Sequence, residues 1–221
     1  ADAGLNRALQ NCFNAVQSVS NDPTSTPARQ LMLSEAESLI DRFRYLDTQL
    51  SQTRTEVNGQ LGTLVGEVNS LSQAIADINK EIVVAVGRSG GQPPNDLLDT
   101  RDQLVEQLSQ LVSVKTLAQD DGALNVFIGN GQSLVTGFNA ATLEVSGSPY
   151  DATQMQINYS VGTSSADITG NIRGGSLGGL LQFRAEILDP AQNELGRIAA
   201  VLGTEFNLQH QLGMDLDGDL G

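Results

Sequence analysis

The sequence predicts an α+β chain: an elongated antiparallel helical bundle, or coiled-coil rod, with a small antiparallel β-domain inserted between its helices. Three observations carry this. Apolar residues from Ala36 to Ile82 recur at steps of three and four, the signature of a helical seam. Turn dipeptides then cut residues 113–172 into short alternating runs. Beyond the glycine-rich stretch Gly174–Gly179, a helical stripe resumes.

The first element runs from Asp2 to Val19, with Leu5, Leu9, Cys12, Phe13 and Val16 on one stripe, and Asn21-Asp22-Pro23 ends it. Ser25 and Thr26 can cap the next helix, and Pro27 suits its first turn. No further proline occurs until Pro93, so a single helix over about 27–86 is expected. At 1.5 Å per residue it would be on the order of 90 Å long. Its core seam is Leu39, Phe43, Leu46, Leu50, Val57, Leu61, Leu64, Val68, Leu71, Ile75, Ile78 and Ile82. The two successive steps of four around Val57 read as a stutter in the heptads.

Gly59, Gly62 and Gly66 share the opposite side of that helix. Each costs roughly 1 kcal/mol relative to Ala. They mark a tolerated solvent face, a bend, or a face where another subunit packs closely.

Gly87–Pro94 reads as a loop. A third helix follows from Asn95, with Leu97, Leu98, Arg101, Leu104, Val105, Leu108 and Leu111 as its stripe and Asp96, Asp99 and Asp102 suiting its positive end. Asp121-Gly122 and Asn130-Gly131 are hairpin signals, and five or six short strands are expected. After the glycines, Leu180, Leu181, Phe183, Ile187 and Leu188 form one helical side. Asp189-Pro190 should break it and start a last helix carrying Ala191, Leu195, Ile198, Leu202 and Phe206. The expected organisation is a helical rod over 1–112, a β-rich domain over 113–173, and over 174–221 the rest of the rod with the start of a linker.

Composition narrows the function. The chain has 221 residues, 26 acidic and 12 basic, for a net charge of -14. That acidity argues against a phosphate-backbone partner, hence no nucleic acid. One Cys rules out an intrachain disulfide framework, and with one His it rules out the usual zinc ligand sets. No apolar run is long enough to span a membrane. The start Ala1-Asp2-Ala3-Gly4 carries no leader pattern, and immediate helical patterning suggests a piece of a longer protein.

No motif carries chemistry. The glycines before Leu180 lack the Lys-Ser/Thr of a P-loop and the dinucleotide spacing, so a structural turn is expected. Asp215, Asp217 and Asp219 fit the first half of a calcium loop, but Leu220 stands where glycine belongs, and a polar exit turn is expected. His210 has no recognisable nucleophile beside it, and Cys12 reads as a small buried hydrophobe. No catalytic, cofactor-binding or metal residue is assigned, no cofactor is expected, and the chain is read as a non-enzyme.

Three stretches nevertheless point to a family. Gln92–Val105, Gln119–Gln132, and Gly174–Arg184 continuing through Leu188–Arg197 are similar, in order, to the family of the first flagellar hook-associated protein. Pro27–Phe43 resembles that family's long-helix start. The resemblance implies a structural subunit joining hook to filament in the bacterial flagellum. It further implies export through the flagellar type III apparatus to an extracellular position. The implied partners are the hook protein, the second junction protein and neighbouring copies of itself, with an export chaperone acting through terminal segments absent here. Those terminal coiled-coil segments would line the tube, and without them the chain should be monomeric. The other reading is a different secreted coiled-coil subunit, flagellin-like or of a type III needle tip.

Overall fold

The computed structural model describes residues 2–88, 92, 94–162 and 164–213. It contains α1 (Asp2–Asn21), α2 (Thr26–Arg88), α3 (Asn95–Leu111), strands β1 (Val114–Ala118), β2 (Leu124–Ile128), β3 (Gln132–Thr136), β4 (Asn139–Ala140), β5 (Thr142–Gly147), β6 (Met155–Val161) and β7 (Ser164–Asp167), then α4 (Gly175–Phe183) and α5 (Asp189–Gln211). The calcium-like stretch Asp215–Leu220 lies outside the described residues.

The α+β class is as the sequence predicts, with long helices flanking antiparallel strands. The expected long helix is α2, 63 residues without interruption. Ser25 caps it: its Oγ accepts from the Ala28 N–H at 3.4 Å. The chain divides into two compact units, residues 1–54 with 187–221, and residues 55–186. The second half of α2 therefore groups with α3, α4 and all the strands.

Among the described residues of the unit 55–186 the strands number seven and form two sheets rather than one. The first is a meander, β1-β2-β3-β4, and the second is β5-β6-β7, all antiparallel. Where β2 meets β3 the register skips between Val126 and Phe127, a bulge that strengthens local twist. Gly122 and Gly131 both take positive φ, as the hairpin dipeptides require. The core joins all layers: Leu61, Val68, Ile75 and Ile82 of α2, Leu108 of α3, Val126, Leu134, Leu143 and Ile157 of the sheets, and Leu177 of α4 are at most 1% exposed. The Tyr159 hydroxyl donates to the Ser133 carbonyl at 2.7 Å and ties one sheet to the other.

The β segment leaves and rejoins the helices at one place. The Ser113 N–H donates to the Arg173 carbonyl at 2.9 Å. Next to it Gly174 and Gly175 have φ of 66° and 59°. A Cβ on Gly175 would lie 2.3 Å from the Leu111 carbonyl carbon. The glycine-rich stretch is thus a close backbone crossing at the end of α3, the structural turn the sequence suggests.

The unit of residues 1–54 and 187–221 is helical, built from α1, the first half of α2 and α5. Asp189-Pro190 does not break the chain. A π-helical turn over Arg184–Leu188 carries α4 directly into α5, and the widened turn comes just before Pro190, which has no N–H to give to the ladder. Arg54 holds the start of α5: its guanidinium donates to Asp189 Oδ1 at 2.7 Å and to Gln192 Oε1 at 2.7 Å.

Candidate interaction surfaces

The seam residues fall into two groups. Leu39, Val57, Leu61, Val68, Ile75, Ile78 and Ile82 are buried, while Phe43, Leu46, Leu50, Leu64 and Leu71 are half-buried. The buried face in the unit 55–186 is completed by Val65, Ser72, Ala76 and Asn79. Sequence reasoning passed over these four because two are polar and the others break the heptad count.

Polar side chains of α2 fix the sheets. The Asn79 amide donates to the Leu124 and Gly137 carbonyls, each at 2.8 Å, and its oxygen accepts from the Leu124 N–H at 3.0 Å. Asn69 does the same for the other sheet: it donates to the Leu143 carbonyl at 2.8 Å and accepts from the Leu143 N–H at 2.9 Å. Asn58 donates to the Thr153 carbonyl at 2.9 Å, beyond the end of β5. Asn69 and Asn79 thereby satisfy backbone groups that would otherwise be stranded against a helix, while Asn58 holds an exposed loop carbonyl. Sequence reasoning missed these asparagines, and the one trace they leave in it is that Asn is a poor residue for a helix interior.

Arg101 lies on the α3 stripe and is 8% exposed. It donates to the Gly122 carbonyl at 2.7 Å and sits 3.4 Å from Asn79 Oδ1. Burial lowers its pKa, against the opposing charge of Asp102. Arg184, also buried, donates to the Met155 carbonyl at 2.6 Å and anchors the start of β6.

Gly59, Gly62 and Gly66 are exposed, and a Cβ on any of them would meet nothing within 4 Å. Gly66 also lies on a shallow groove between α2 and α3, with Leu71 and Leu111 on its sides. Among the described residues, nothing requires glycine at these positions.

A further exposed apolar feature belongs to the helical unit. α1 and α5 bound an open groove of about 760 Å³ lined by Leu9, Phe13, Val16, Ile198, Val201, Leu202 and Phe206. Phe13, Val201 and Phe206 are 58%, 55% and 46% exposed. His210 stands on its rim. Cys12 is half-buried, and burial, helped by the Glu35 charge, raises its thiol pKa. Among the described residues, no group of three or more His, Cys, Asp or Glu is placed to hold a metal, and no helix is long and apolar enough to cross a membrane.

The chain is similar to known proteins in sequence and in fold. The family described as the flagellar hook-associated protein FlgK helical domain matches residues 1–221. The flagellar hook-associated protein 1 of Salmonella typhimurium is 36% identical over 226 residues, 99% of this chain and 40% of its own length. The protein of that name from Bacillus subtilis is 28% identical over 243 residues, 100% of this chain and 48% of its own. The structure of the flagellar hook junction protein FlgK from Burkholderia pseudomallei matches with a TM-score of 0.87 at 36% identity, over 99% of this chain and 40% of that one. The chain thus spans about 40% of the Salmonella relative's length.

Proposed function

Because the chain belongs to the family of the FlgK helical domain, we propose that its protein is a structural subunit of the bacterial flagellum that joins the hook to the filament. The observation that carries this is the likeness itself. It is 36% identity across 99% of the chain, with a fold similar to that of the flagellar hook junction protein FlgK from Burkholderia pseudomallei. That name, borne by relatives as distant as Bacillus subtilis, favours the junction role over a flagellin-like or needle-tip subunit.

The geometry suits a part that transmits load. Three asparagines of α2 key a β-domain onto one long helix, and Arg54 clamps the start of α5 to the same helix. The role is structural and needs no catalysis. The partners are the hook protein on one side, the second junction protein on the other, and neighbouring copies laterally. The protein acts outside the cell after type III export, assisted by a chaperone that engages segments outside residues 1–221. Gly59, Gly62 and Gly66 are the lateral contact face, where the missing side chains let a neighbouring backbone approach. Weak lateral contacts become strong when a ring closes.

Deletion of the gene in its own motile bacterium tests the reading. Cells should carry hooks without filaments by electron microscopy and release flagellin into the medium, and a plasmid copy should restore both. Normal filaments on the deletion strain would refute it.

A further inference from the structure

Two Asn-Gly pairs occur in the chain, Asn58-Gly59 and Asn130-Gly131. Asparagine before glycine is a reactive pair as well as a turn signal. The nitrogen of the following residue can reach the asparagine carboxamide carbon where no Cβ crowds the approach, and glycine has none. The fold treats the two pairs differently. Gly59 lies inside α2, so its nitrogen is committed to the helical ladder. The Asn58 amide is held by the Thr153 carbonyl at 2.9 Å, and its Oδ1 is buried. Asn130 and Gly131 are instead exposed, at the tip of the hairpin between β2 and β3. Gly131 has a φ of 105°, and a Cβ there would meet nothing within 4 Å. The bonds that hold the reacting atoms lie at this exposed tip. The Gly131 N–H donates to the Ile128 carbonyl at 3.1 Å, and Asn130 Nδ2 donates to Asn171 Oδ1 at 2.9 Å. Loop tips open locally at little free-energy cost, whereas core helices open at close to the cost of global unfolding.

We infer that Asn130 is a site of spontaneous covalent modification, its carboxamide turning into aspartate or isoaspartate while Asn58 is preserved. The Gly131 nitrogen bonds to Asn130 Cγ and gives up its proton. The Cγ–Nδ2 bond breaks, and Nδ2 departs with that proton as ammonia. Water then opens the resulting cyclic imide at either carbonyl. One opening gives aspartate, and the other gives isoaspartate, whose backbone runs through the side-chain Cβ. No electron is transferred, and both products add one negative charge. Both also lose the donor that reaches Asn171, and isoaspartate lengthens the loop that sets the pairing of Ile128 with Gln132. The inference concerns the chain's own chemistry and stands whether or not the protein joins hook to filament.

The test ages the full-length protein at mildly alkaline pH and follows both sites by peptide mapping and mass spectrometry, with isoaspartate counted by isoaspartyl methyltransferase labelling. A free peptide of residues 126–134 sets the unrestrained rate. Breaking two exposed hydrogen bonds should slow Asn130 by no more than about 100-fold relative to that peptide. Asn130 should also convert at least ~10-fold faster than Asn58, whose helix must open first. A larger lag behind the peptide, or an Asn58 that keeps closer pace, would overturn the inference. As a second measurement, the same protein is aged unfolded in urea. There the two sites should convert at similar rates, because glycine follows both. A gap as large after unfolding as before would assign the selection to sequence rather than to the fold, and would refute it equally.

Discussion

Asn79 and Leu124 are joined as two strand residues would be. The side chain of one supplies both a donor, at 2.8 Å, and an acceptor, at 3.0 Å, to the backbone of the other. Asn79 is fully buried. A helix residue thus stands in for the next strand, and Asn69 repeats the device on Leu143. Replacing Asn79 by Leu should strand three backbone groups and cost about 2–5 kcal/mol, since each buried orphan costs roughly 1–3. Asn69→Leu, at a half-buried position, should cost about 1–2 kcal/mol. Urea unfolding followed by circular dichroism measures both, and equal, negligible losses would show that the carboxamides are ornamental.

Glycines in the two halves of the chain should respond oppositely to alanine. Gly62→Ala adds a methyl where nothing lies within 4 Å and should stabilise by about 1 kcal/mol. Gly175→Ala forces a Cβ to 2.3 Å from Leu111 at a φ of 59° and should cost more than about 3 kcal/mol. If Gly62 and Gly66 form the lateral face, changing both to Leu leaves the fold intact yet abolishes filament attachment in cells. Motile cells carrying that double change would return the stripe to a plain solvent face.

Along α2 the cost of truncation should follow burial rather than heptad position. Leu61→Ala, at 0% exposure, should lose about 2–5 kcal/mol. Leu64→Ala and Leu71→Ala, half-buried, should lose about 1–2, and exposed Gln60→Ala less than about 0.5. A thermal melt series ranking Leu64 above Leu61 would place the buried face wrongly.

Stability should fall at alkaline pH through Tyr159. Burial raises the pKa of its phenol above the ordinary 10.0. The folded state therefore holds the proton that the unfolded state releases first. The contribution is complete below about pH 10 and is lost as pH rises through the folded value. Tyr159→Phe should flatten that decline while lowering stability at pH 7, because the bond to Ser133 is gone. A decline above pH 10 with the same slope in both proteins would assign it elsewhere.

The helices were legible because their signals are local. Pro27, the unbroken three-four spacing and Asn95 mark α2 and α3 to within two residues. The hairpin glycines were equally plain. Two things were not. The split into two sheets depends on which strand edges α2 covers, and that is decided by Asn69 and Asn79, ten positions apart and pairing with strands 74 and 45 residues away. No periodicity encodes so distant a partner. The continuation past Asp189-Pro190 was missed because proline in a first helical turn is compatible with both a new helix and a widened π turn. For the surfaces, Phe13 and Phe206 look in sequence like core residues of an amphipathic helix. Only the packing reveals that their side of the bundle is open.

The hydrogen bond between Ser113 and Arg173 has an evolutionary consequence. A segment whose two ends touch is a graft: it can be lengthened, shortened or exchanged without shifting the helices that flank it. Lineages could vary the β-domain, and whatever it presents to the outside, while α3 and α4 keep their crossing at Gly175. What they could not freely alter are Asn69 and Asn79, the sockets into which any replacement must plug.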